Sequence, residues 1–248
     1  MKIISTKGIG TNALKILVFG ESGSGKTTLA GTIPGKTLII SSESGLLPLR
    51  NKEIDVIDLA VDDNGQVIKK EKRVDRLLDI YKFLLTDEAK VNYQTIFIDS
   101  LTEINQNFVE KLQVEFPERR DSLVLYSELS KNMRSVVKMF RDLPNYNVIF
   151  TALAETEKDE NSVRYTAPSL IGKFATQLPA YFDEVFYLSI AKDEKTGESK
   201  RVLITEKTDR LMAKDRSSAL DKFEKPDLSI IFNKIRGTKE GEATNGIS

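Results

Sequence analysis

The 248-residue sequence predicts an α/β fold, a mostly parallel central sheet flanked by helices. Three observations predict it. Short apolar runs alternate with segments of helical period, the pattern of strands joined by covering helices. The first run, Lys15–Phe19 (KILVF), leads into Gly20-Glu21-Ser22-Gly23-Ser24-Gly25-Lys26-Thr27, which fits G-x-x-x-x-G-K-[ST] without a gap. A later run, Thr95-Ile96-Phe97-Ile98-Asp99, ends in an acid where a second phosphate-site strand would end.

The elements follow in order. Lys15–Gly20 is the first strand, and helix Lys26–Thr32 runs from the glycine-rich turn until Pro34-Gly35 stops it. Thr37–Ser41 and Asp55–Ala60 read as strands. Arg73–Leu85 reads as a helix, with Val74, Leu77, Leu78, Tyr81, Leu84 and Leu85 in one apolar stripe. After the strand Thr95–Asp99, the helix Leu101–Phe116 spaces Leu101, Ile104, Phe108 and Leu112 along one face. Ser100-Leu101-Thr102-Glu103 has the form of a capping box, Ser100 capping and Glu103 reciprocating. Leu123–Leu143 carries Tyr126, Leu129, Met133, Val136, Val137 and Phe140 at helical spacing. Strands Asn147–Leu153, Glu184–Ile190 and Arg201–Thr205 come next. The last helix, Leu228–Ile235, has Gly237 as its stop. The stripes are core. Ala154–Pro168, charged and short of aliphatic side chains, reads as a long irregular loop of the kind that carries function. The expected layout is an arm over 1–14, one core over 15–236 and a polar, disordered tail over 237–248.

Lys plus Arg and Asp plus Glu are both 37, so any nucleic-acid contact needs a local patch. There is no cysteine and no histidine. Disulfides, thiol catalysis and His- or Cys-based zinc sites are excluded, and general-base work falls to a carboxylate. No apolar run approaches the ~20 residues of a membrane helix. The N-terminus lacks the continuous apolar core of a signal peptide, so a cytoplasmic setting without membrane is expected.

The glycines let consecutive backbone N–H groups turn inward around a phosphate, over a stretch from Glu21, Ser22, Gly23, Ser24 and Gly25 to Lys26, Thr27 and Thr28. The side chain of Glu21 is expected to face away. Lys26 brings a charge to the β- and γ-phosphates, the Thr27 hydroxyl suits Mg²⁺, and the helix start adds its dipole. The motif binds a nucleoside triphosphate. Asp99 is the second metal-side carboxylate, and Ser100 is open to either a capping or a catalytic role. Glu43, just past Leu38-Ile39-Ile40-Ser41-Ser42, is either a solvated loop acid or the group that orients the attacking water. In an open sheet the carboxyl ends of strands share one crevice, which favours the second.

With these residues placed, the chain resembles the RecA-like P-loop NTPases over about Ile16 to Ile235. It is most similar to the compact phage members: AAA-type ATP-binding proteins and core-only recombinases of the single-strand annealing group. The segment through Glu43 (LIISSE) and the Asp99-Ser100 strand end carry the likeness, with Asn147–Glu155 (NVIFTALAE) resembling the next core strand. The resemblance implies ATP with Mg²⁺, hydrolysis, and Thr151 and Glu155 as sensing residues. It places a DNA-binding loop in Ala154–Phe182, with Arg164, Tyr165 and Lys173 as contacts. It makes Lys207, Lys214 and Arg216 candidates that reach a neighbouring subunit's nucleotide. Implied partners are single-stranded DNA, further copies of the chain in a ring or filament, and a single-stranded-DNA-binding protein, in the host cytoplasm if phage-encoded. Arg164, Tyr165 and Lys173 supply two charges and one stacking ring, but Glu155, Glu157, Asp159 and Glu160 make the loop's first half acidic. A solvated lid stays an alternative. So do a nucleotide-gated loading ATPase and a small-molecule P-loop kinase.

Overall fold

The computed structural model describes residues 13–119, 123–158, 162–171, 174–192 and 197–237. Most of the N-terminal arm, the tail past Gly237 and Lys173 lie outside the described residues.

β1 (Lys15–Gly20) leads into α1 (Lys26–Leu29), which tightens into a 3-10 turn over Ala30–Thr32. Ile33 is extended, as the residue before Pro34 is expected to be. β2 (Thr37–Ser41) and β3 (Asp55–Asp58) follow, the latter two residues shorter than expected. The stripe over Arg73–Leu85 divides into α2 (Lys70–Arg73) and α3 (Arg76–Leu84). The join is a tightening rather than a break, because Asp75 N donates to Lys72 O and Leu77 N to Val74 O, both at 3.2 Å. Leu77, Ile80 and Leu84 face the core, whereas Leu78 and Leu85 are exposed at the stripe's edge. α4 (Asp87–Asn92), which sequence reasoning missed, is announced by its cap: the Thr86 hydroxyl accepts from Ala89 N.

β4 (Thr95–Asp99), α5 (Leu101–Glu115) and α6 (Leu123–Arg141) fall close to their expected bounds, although α6 buries Leu125 and leaves Tyr126 half-exposed. The largest correction is β5, which runs from Asn147 to Lys158 and pairs antiparallel with β6 (Arg164–Pro168). The expected irregular loop is a hairpin. Past Leu153 the strand has lost its parallel neighbours, and the returning strand satisfies its amides and carbonyls. Residues 208–212 buttress the hairpin: Thr166 N donates to Arg210 O (2.8 Å) and Met212 N to Thr166 O (3.2 Å). α7 (Phe174–Gln177), β7 (Glu184–Lys192), β8 (Ser199–Ile204), the two-residue β9 (Lys214–Asp215) and β10 (Phe223–Glu224), and α8 (Leu228–Arg236) complete the chain. Gly237 ends α8 at φ 70°, the left-handed conformation glycine adopts without penalty.

The sheet order is β10-β8-β7-β1-β5-β4-β2-β3, with β1 to β5 and β7 parallel and the β8 edge antiparallel. Alternation along β1 sends Leu17 and Phe19 to the core under α3, α5 and α6, and Ile16 and Val18 to the one under α1 and α8. The register sets Gly20 beside Leu153 and Ser41 beside Asp99, so the loops after β1, β2 and β4 open on one edge.

Candidate nucleotide site at the carboxyl edge of the sheet

The loop after β1 is shaped by its glycines. A Cβ on Gly20 would stand 2.5 Å from Leu188 O and 2.8 Å from Ser24 Oγ, so only hydrogen fits there. Gly23 and Gly25 have φ of 76° and 106°, which places them in glycine's region. Ser24 N donates to Glu21 O (3.2 Å), closing the turn. Lys26 is buried and donates to Gly20 O (2.9 Å) and Glu21 O (2.8 Å), folded onto the loop that a phosphate would fill. Burial lowers its pKa, and the nearby carboxylates of Glu43 and Asp99 work against that shift. Glu21, Ser22, Gly23 and Thr28 are exposed on the rim. Glu21 bears on Tyr187, whose phenol is pushed up by burial and then by that carboxylate.

Asp99, buried at the end of β4, is the hub. Its Oδ2 accepts from the Thr27 hydroxyl at 2.6 Å, and its Oδ1 accepts from the Thr151 hydroxyl on β5. The peptide from Asp99 to Ser100 is cis. Ser42 stitches β2 to this turn: its N donates to Asp99 O (2.7 Å), and its Oγ accepts from Ser100 N (2.8 Å). Glu43 is exposed, and its Oε1 accepts from the Ser100 hydroxyl. The structure therefore brings Lys26, Thr27, Glu43, Asp99 and Thr151 together from four separate stretches of chain.

The capping box forms only in half. Ser100 Oγ accepts from Glu103 N at 3.5 Å, but Ser100 N is taken by Ser42 and Glu103 pairs with Lys70 at 3.4 Å. Ser100 thus both caps α5 and holds Glu43.

The other candidates lie apart. Glu155 sits inside β5 opposite Ala167 and accepts from the Ser169 hydroxyl at 2.8 Å, rather than opening a loop. Arg164 is exposed on β6, while the Tyr165 hydroxyl donates to Glu157 across the hairpin at 2.6 Å. Lys214 pairs at Val185, level with Leu17, and donates to Pro179 O (3.0 Å). Arg216 pairs with Asp183 at 2.8 Å. Lys207 and Lys214 border a cavity of about 620 Å³ with Thr176, Thr205 and Asp215. All three cations are away from this chain's own phosphate loop.

Two functional candidates were missed in the sequence. Ser42 gave no signal beyond its neighbour Glu43. Arg201 on β8 donates from Nε to Ser24 O at 2.9 Å, and nothing in SKRVLI announces that this strand lies beside the phosphate loop.

Among the described residues no cluster of three acidic, His or Cys side chains could hold a metal alone. One carboxylate and one hydroxyl, both hard oxygen donors, are what a magnesium ion shared with phosphates takes from a protein. Asp99 and Thr27 fit that requirement. Among the described residues no helix is long and apolar enough to cross a membrane.

Residues 12–217 match a family model described as an AAA domain. No curated protein matches the chain significantly.

Proposed function

The chain belongs to the AAA-domain family, and we propose that it is a magnesium-dependent, RecA-like ATP hydrolase acting on single-stranded DNA. Family membership supports a nucleotide-hydrolysing P-loop. One observation carries the hydrolytic reading: Asp99 holds the Thr27 hydroxyl at 2.6 Å while Ser100, the next residue, holds Glu43.

The chemistry is attack of water on the γ-phosphorus, giving ADP and phosphate. Glu43 orients the water through its free carboxylate oxygen, while the Ser100 hydroxyl fixes the other. Lys26 leaves the loop carbonyls for the β- and γ-phosphates and, with the loop amides, stabilises the charge that develops there. When bound, Mg²⁺ neutralises the phosphate oxygens, and Thr27 and Asp99 are the residues that would hold it. The Thr27 proton already points to Asp99, leaving the hydroxyl lone pairs free for a cation.

The DNA reading is supported by the resemblance to core-only recombinases and by exposed Arg164 on a buttressed hairpin next to the site. Self-association is part of the proposal, with Lys207, Lys214 and Arg216 offered to a neighbour's nucleotide.

Phosphate release with and without single-stranded DNA tests both halves. Lys26→Ala should abolish ATP binding. Glu43→Gln should retain it and lower turnover by about a hundredfold or more. Unchanged turnover in Glu43→Gln would remove the water-orienting role. Hydrolysis indifferent to DNA would leave an ATPase and point to the loading alternative.

A further inference from the structure

We infer that Arg201 and the groove beside it take the α-phosphate and the nucleoside of the bound nucleotide. This rests on the ATP reading of the phosphate loop and says where the rest of that molecule lies. The hydrolytic groups Asp99 and Glu43 stand on β4 and β2, on one flank of β1. A triphosphate is linear, so with its γ end there its nucleoside leaves over the opposite flank, toward β7 and β8.

The sheet is built to receive it on that side. Leu188 of β7 is level with both Gly20 and Leu203, and two residues further on Ile190 stands opposite Arg201. Both therefore lie above the level of the loop, on the face of the sheet that carries Leu188, Leu203 and Leu29. Arg201 reaches the loop itself, donating from Nε to Ser24 O at 2.9 Å, with Nε 3.0 Å from where a Gly25 Cβ would be. One donor of its fork is spent on the loop, and the remaining ones are directed by the same rigid plane. Gly25, Thr28, Ile190, Arg201, Lys225 and Pro226 line a groove of about 540 Å³, within the about 300–1,000 Å³ of small-molecule sites. Ile190 is 52% exposed, a large apolar side chain with no core to cover it, and Pro226 supplies a second apolar wall. Cations and apolar side chains lining one groove, Arg201 opposite Ile190 and Lys225 next to Pro226, suit a phosphate joined to a flat base.

Dissociation constants for ATP, ADP and inorganic tripolyphosphate test this, tripolyphosphate being the ligand without a nucleoside. Arg201→Ala should weaken ATP and ADP about tenfold, the loss of a hydrogen bond to a charged group, and Arg201→Lys should recover little of it. Ile190→Ser, an exposed change that leaves the core intact, should weaken ATP about fivefold and leave tripolyphosphate unchanged. If both variants bind ATP as the unaltered chain does while Lys26→Ala does not, the groove is overturned and the ATP reading stands. If the unaltered chain binds no ATP, both fall together.

Discussion

Glu184 is 2% exposed at the start of β7, and its Oε2 has no donor among the described residues. Burial, then the charge of Asp215 and a hydrogen bond to it, push the Glu184 carboxyl up to about 8, with Asp183 adding to the rise and the Ser217 amide opposing it. Burial alone would raise Asp215 too, but the Ser217 hydroxyl and the amides of Leu220 and Ser217 hold it below the usual range. The pair therefore shares one proton, carried by Glu184, with Lys214 on the facing strand and Arg216 just past its end. Because its folded pKa lies above the unfolded value, the native state holds a proton that the unfolded chain has lost between those pH values. On this account the contribution is fully present below about pH 4.5 and is lost as pH rises from there to about 8. Glu184→Gln should flatten that slope and be the more stable form at pH 8 in denaturant titrations. An unchanged slope would show that the pair does not carry the proton. Asp99 is a buried acid in a different setting: the Thr27 and Thr151 hydroxyls both donate to it at the end of β4, beside the phosphate loop.

The loop between β1 and α1 depends on how closely β7 approaches. Gly20→Ala would force a Cβ against Leu188 O, which is backbone and cannot swing aside. The change should cost about 1–3 kcal/mol and weaken ATP binding, read from thermal melting and nucleotide titration. Unaltered melting would mean the strands separate freely. At this scale much was legible. Periodicity and the turn residues placed β1, β2, β4 and α8 almost to the residue, because each is a fully apolar run or a clean amphipathic stripe. The β5–β6 hairpin was not legible. Alternating Glu155, Glu157, Arg164 and Thr166 look like a solvated loop, and only the pairing of the two arms, with Thr166 held from more than forty residues later, makes them strands. The split of Leu78 and Leu85 from the buried stripe has a similar origin: the neighbour decides how wide a face is covered.

Across the whole molecule, the two cores on either side of the sheet hold the site's edge in place. α8 closes the smaller one with Leu228, Ile231 and Phe232, and Leu228 N donates to Thr32 Oγ1 at 2.9 Å just after the phosphate-loop helix. Phe232→Ala should cost about 3–5 kcal/mol in denaturant unfolding, since a fully buried ring leaves a cavity. A loss under about 1 kcal/mol would mean that α8 docks loosely. The sequence by itself determined the fold class, the phosphate loop and the residue types able to work beside it. Motif spacing and hydrophobic period are local properties, and the lack of histidine and cysteine left carboxylates to do the chemistry. Tertiary structure alone decided that Ser42 and Ser100 tie Glu43 to Asp99, that Lys214 and Arg216 lie away from their own loop, and that Arg201 crosses to Ser24 from 177 residues along the chain. Strand order set those juxtapositions, and strand order depends on which apolar faces bury one another rather than on any local pattern.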